Sequence, residues 1–77
     1  MIIGKREIIF KDVKNGFIPI VKEDLKTREI KLLLTEDETD SSLKHLLKIN
    51  LSTLEELPFE SFCLVYSGAI RVAFCDD

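Results

Sequence analysis

Ser61-Phe62-Cys63-Leu64-Val65-Tyr66-Ser67-Gly68-Ala69-Ile70-Arg71-Val72-Ala73-Phe74-Cys75-Asp76-Asp77 is the stretch on which the fold turns. Two apolar runs flank Ser67-Gly68. A two-residue connection containing Gly suits a primed turn, whose twist matches that of the strands it joins. The spacing predicts a C-terminal β-hairpin with Tyr66 opposite Ala69, Leu64 opposite Arg71 and Phe62 opposite Ala73. One face then carries Cys63, Val65, Ile70, Val72 and Phe74. The other carries Phe62, Leu64, Tyr66, Ala69, Arg71 and Ala73. A hairpin with one solvated face should be polar on that side, and this one is apolar on both. Either the rest of the chain or another molecule must cover the second face.

Upstream, Ser52-Thr53-Leu54-Glu55 fits a capping box and predicts a short helix ending before Pro58. Before it, Leu43, Leu46 and Leu47 form the apolar stripe of a longer helix. Thr39 or Asp40 is placed to cap that helix, and Asn50 suits a left-handed C-terminal residue. The acidic run Glu36-Asp37-Glu38-Thr39-Asp40 complements the positive end of its dipole. Arg28–Thr35 alternates as a strand, with Ile30, Leu32 and Leu34 on one side and Leu33 the exception. Residues 6–13 and 17–22 read as strands around Asn15-Gly16, a favoured hairpin dipeptide. Pro19 has no amide to donate, so Phe17–Lys22 is expected at a sheet edge, followed by a loop over Glu23–Thr27. The order is β-β-β-α-(short α)-β-β. It implies a single α+β domain over residues 1–77, with a mostly antiparallel sheet and helices on one face.

The chain has 77 residues, 45% of them apolar and 32% charged, as in ordinary globular proteins. A domain of this size buries only about 60–65% of its unfolded surface, enough for one small core. The start Met1-Ile2-Ile3-Gly4-Lys5-Arg6 lacks the apolar stretch of a secretory signal, and no run approaches a membrane span. A soluble, cytoplasmic protein is expected. Its net charge of −3 is unevenly spread. Residues 1–35 hold eight basic and five acidic side chains, and residues 36–77 hold three and nine. The acidic half argues against direct nucleic-acid binding, which asks for a clustered basic face. In the predicted hairpin, Cys63 and Cys75 point to opposite faces, so both are read as reduced thiols.

No residue pattern specifies a reaction. His45, the one histidine, lies across the helix from the leucine stripe and is expected to face solvent without positioned partners. The acidic run lacks the turn Gly and terminal Glu of a calcium loop. The three glycines occur singly, not in a phosphate-cradling loop, and two cysteines with one distant His make no zinc set. Ile49–Pro58 resembles the lead-in of the DNA-binding helix-hairpin-helix motif. Phe59-Glu60-Ser61-Phe62 then follows where that family places a Gly-containing hairpin, so no DNA-binding residue is carried over. No catalytic residue, cofactor, metal, membrane or small-molecule substrate is expected.

What remains is the hairpin's second face. Phe62, Leu64 and Tyr66 with Arg71 have the aromatic-plus-arginine character of a binding hot spot. Glu36, Asp37, Glu38 and Asp40 would steer a basic partner. The sequence therefore points to a small acidic, non-enzymatic protein-binding module. One form of action is stoichiometric inhibition, of phage or mobile-element type, directed at a basic or nucleic-acid-binding protein. The alternative is a homo-oligomeric structural protein, a homodimer for example, assembling through the same C-terminal hairpin.

Overall fold

The computed structural model describes residues 1–48 and 51–74, without the side chains of Leu47, Leu51 and Ser52. Four strands run in chain order: β1 (Ile2–Ile3), β2 (Arg6–Val13), β3 (Gly16–Glu23) and β4 (Lys26–Glu29). They form an antiparallel meander in which each strand pairs with the next. Three helices follow, α1 (Glu36–Leu47), α2 (Leu51–Glu56) and α3 (Phe59–Phe74). The α+β architecture is the one expected, with one substantial exception.

That exception is the C-terminal hairpin, which does not exist. Phe59–Phe74 is a single 16-residue helix running straight through Ser67-Gly68. Its buried residues, Phe59, Phe62, Cys63, Tyr66 and Ile70, recur at helical spacing and bring their side chains onto one face. The hairpin split the same residues over two faces and left both uncovered. The helix resolves that conflict, since Phe62 and Tyr66 are 0% exposed and lie in the core. Pro58 precedes the helix, and its carbonyl accepts from the Phe62 amide at 2.9 Å.

In the sheet, β2 and β3 form the expected hairpin, but its turn lies one residue earlier: Val13 stands opposite Gly16, so Lys14-Asn15 rather than Asn15-Gly16 form the two-residue turn. Gly16 sits at φ +153°, and a Cβ there would stand 2.4 Å from the Leu34 carbonyl oxygen. Only glycine allows that approach. Arg6, Ile8, Pro19, Val21 and Glu23 face the helices and are buried, while Glu7, Ile9, Lys11, Ile18, Ile20 and Lys22 occupy the open face.

Pro19 was expected at an edge, yet β3 lies between β2 and β4. The missing amide is accommodated locally. Ile30 N–H donates to the Pro19 carbonyl at 2.9 Å, and Pro19 returns nothing. The Ile30 carbonyl instead accepts from Leu32 N–H at 2.7 Å, in a tight turn over Lys31. The ladder resumes only at the bridge between Phe17 and Leu34. Arg28–Thr35 is consequently not one strand: β4 stops at Glu29, and Lys31, Leu32 and Leu33 form an excursion opposite Ile18, like an enlarged β-bulge. The alternation still reports the faces, because Ile30, Leu32 and Leu34 are buried and Leu33 is 54% exposed. The expected loop over Glu23–Thr27 shrinks to Asp24-Leu25, with Asp24 at φ 52°.

Helix α1 begins four or five residues earlier than a cap at Thr39 or Asp40 implies. Thr35 is its cap: its hydroxyl accepts from the Glu38 amide at 3.2 Å, and the Glu38 carboxylate accepts from the Thr35 amide at 2.9 Å. This is a complete capping box. Short α2 ends before Pro58 as the sequence implied. The proposed left-handed role of Asn50 and the reading of Cys75 as a reduced thiol fall on residues outside those described.

The core joins Ile3, Ile8, Val21, Ile30 and Leu34 from the sheet half to Leu46, Leu54 and the inner face of α3. A charged layer crosses it. Arg6 is buried, with its Nε donating to Glu23 at 2.7 Å, Nη1 donating to the Leu54 carbonyl at 3.1 Å, and its guanidinium 5.1 Å from the centre of the Phe62 ring. The Arg6 hydrogen bond is the main reason the Glu23 carboxyl is held below its usual range. A separate buried polar contact sets the Tyr66 hydroxyl 3.3 Å from Ser42 Oγ, which donates to the Thr39 carbonyl at 2.8 Å.

Candidate protein-binding surface on the C-terminal helix

The inner face of α3 is fixed by the core, which determines what its outer face shows. At 100° per residue, Ser61, Leu64, Val65, Gly68 and Val72 fall within about 100° of arc, opposite Phe59, Phe62, Tyr66 and Ile70. No charged side chain interrupts this arc over three turns. Leu64 is 71% exposed and Val72 84%, while Val65 is also exposed. Gly68 between them is bare: a Cβ there would meet nothing within 4 Å. An ordinary surface helix is polar on this side. Glu60 and Arg71 flank the stripe on one side.

Beyond that charged flank runs a groove of about 230 Å³ between α3 and the end of β4. Arg28 and Lys31 line its strand wall, and Cys63, Leu64, Ser67 and Arg71 its helix wall. Arg28 is engaged with the Glu60 carboxylate, and Lys26 Nζ stands 5.9 Å from the Phe59 ring centre. The Cys63 thiol is buried, which pushes its pKa above the ordinary value and keeps it a poor nucleophile.

The residues singled out in the sequence therefore separate into three groups. Leu64 and Arg71 come together on the groove. Phe62 and Tyr66 are core, so the expected hot spot loses both of its aromatic residues. Glu36, Asp37 and Asp40 stand exposed at the start of α1, and Glu38 is half-buried with one carboxylate oxygen committed to the cap. Val65, Gly68, Val72, Lys31 and Ser67 were missed as surface partners. A helical count from Phe62 would have placed Val65, Gly68 and Val72 together; nothing local announces Lys31, which arrives through the break at Pro19.

His45 does not stand free. Its ring meets Phe74 edge-on, with centroids 5.7 Å apart, near the end of α1. Among the described residues no three His, Cys, Asp or Glu side chains converge as a metal set, and no helix is long and apolar enough to cross a membrane. No family model matches this chain, and no curated protein or solved structure matches it either.

Proposed function

We propose that this chain acts by binding another protein, without cofactor or catalysis, and that the partner docks on the outer face of α3. The observation that carries this reading is the uncharged stripe of Leu64, Val65, Gly68 and Val72 on a helix whose other side is already satisfied by the core. Covering a Leu and a Val side chain each contributes roughly 1.5–3 kcal/mol. The bare backbone at Gly68 lets a partner approach closely, with Leu64 and Val72 as anchors on either side.

A two-fold contact between two copies of α3 is the rival occupant. From Leu64 to Val72 the stripe runs only about 12 Å along the axis, short for an interface that must reach roughly 1,200 Å². A different protein that extends past the helix, over its charged flank, meets that requirement more readily. The acidic start of α1 is explained in part by the helix it caps, so it is not needed to set the partner's charge. Where the partner's own site lies under α3, binding would also inhibit it.

Affinity capture from host lysate with the wild-type chain and with Leu64→Asp/Val72→Asp tests this. A stoichiometric protein should be held by the first and lost from the second, with both melting alike. Equal capture by both, or capture by neither, refutes the assignment. Sedimentation over a concentration series separates the rival: a wild-type dimer that the double substitution dissociates would put a second copy on the stripe.

A further inference from the structure

The strand wall of the groove beside α3 is the end of β4, an edge strand of the sheet. Ile30 N–H bonds to Pro19, which sets the phase of the β3–β4 ladder. Arg28, opposite Val21, turns its backbone groups toward β3; Thr27 and Glu29, in the alternate positions, turn theirs away from the sheet. Because β4 is the edge strand, those outward N–H and C=O groups have no strand partner among the described residues. Immediately after them, the break opposite Pro19 carries Lys31 to the groove.

The groove is also basic within an acidic chain. Arg28, Lys31 and Arg71 line it against a single carboxylate, Glu29. Arg28 is paired with Glu60, but neither Lys31 nor Arg71 has an acidic partner among the described residues. The volume of about 230 Å³ falls below the roughly 300–1,000 Å³ of small-molecule pockets. A free strand edge that ends, at Glu29, in the wall of a groove flanked by a helix suits strand addition, where main-chain bonds supply affinity and side chains supply selectivity. The charges on β4 guard the edge against chance pairing with apolar strands, and an acidic strand is the kind they admit.

We propose that an extended, acidic segment of a partner protein adds to β4 as a fifth strand, its backbone bonded to Thr27 and Glu29 and a carboxylate held between Lys31 and Arg71. This rests on the reading of the chain as a protein-binding module and supplies the partner's chemistry. Leu64 belongs to both surfaces, so the segment and the α3 docking face are continuous.

Selection of phage-displayed random dodecapeptides on the folded full chain tests the proposal. Enriched peptides should carry Asp or Glu among β-branched residues. Their affinity for Lys31→Glu/Arg71→Glu should fall at least tenfold, about 1.4 kcal/mol. Both side chains are exposed, and an unchanged melt verifies the variant's fold. Independently of any variant, bound peptide should slow hydrogen exchange at the Thr27 and Glu29 amides. No enrichment, enrichment of basic or uncharged sequences, retained affinity in the double variant, or unprotected Thr27 and Glu29 amides each overturns it. If those results come while Leu64→Asp/Val72→Asp still loses the captured partner, the groove is rejected and the module reading stands.

Discussion

Replacing Gly68 by Ala should stabilise the domain, and the sign of the effect tests the reading of residues 59–74. Gly68 lies inside α3, where glycine costs about 1 kcal/mol relative to alanine because it gives up more backbone freedom on folding. The new methyl meets no atom within 4 Å, so no clash offsets that gain. It also stays exposed, so burial adds nothing. The expected increment is about 0.5–1 kcal/mol, which for a domain of this size raises Tm by roughly 2–8 °C. Thermal melts followed by circular dichroism, with urea titration at fixed slope, measure it. Were Ser67-Gly68 a primed turn, the same alanine would be forced to positive φ and would destabilise instead. A fall in Tm, or no change, refutes the continuous helix.

Gly16→Ala should act in the opposite direction, losing more than about 1 kcal/mol, because its Cβ would collide with the Leu34 carbonyl at a positive φ; the same urea titration reads the loss. Burial pushes the Tyr66 hydroxyl up to about 12, against a weaker lowering by its hydrogen bond to Ser42. The folded pKa exceeds the unfolded value of 10.0, so this contribution is intact below that value and is lost as pH rises toward about 12. Tyr66 is the sole tyrosine and the chain has no tryptophan, so tyrosinate absorbance reports it alone; titration near the ordinary value with the fold intact would contradict its enclosure. Glu23 behaves in the reverse sense, since its folded pKa lies below 4.5 and its contribution is lost as pH falls through and below that value. Glu23→Gln should flatten the acid limb of a stability-against-pH curve, and an unchanged limb would mean the Arg6 pair carries no linkage.

The first half of the fold is legible because its signals are local. Asn15-Gly16 marks the first hairpin to within one residue, and Ile30, Leu32 and Leu34 announce a buried side whether or not their backbone stays in a ladder. The caps were harder: Thr35-x-x-Glu38 is a complete box, but the acidic residues beyond it drew attention to Thr39 and Asp40. Residues 59–74 mislead for a physical reason. Val65, Tyr66, Ile70 and Val72 favour strands, Ser67-Gly68 looks like punctuation, and an apolar run has weak periodicity of either kind. Packing decides, because a helix alone brings Phe59, Phe62, Cys63, Tyr66 and Ile70 to the side where the sheet and α1 wait. The surface followed the same error. Leu64 and Arg71 were found because they are exposed in either conformation, while Phe62 and Tyr66 were placed outside only by a period of two.

Pro19 has a further effect on how the sheet holds its alignment. Sliding β4 two residues along β3 would set Arg28 opposite Pro19, and the Arg28 carbonyl would face a ring with no proton to give. The turn over Lys31 that rescues Ile30 has no counterpart at Arg28, which lies within β4. A carbonyl left without a partner in the ladder costs up to about 1–3 kcal/mol where water cannot reach it, which disfavours the shifted pairing. The imino acid in the middle of the meander thus works as a key that fits one notch, and a chain with alanine there would find mispaired sheets easier to populate.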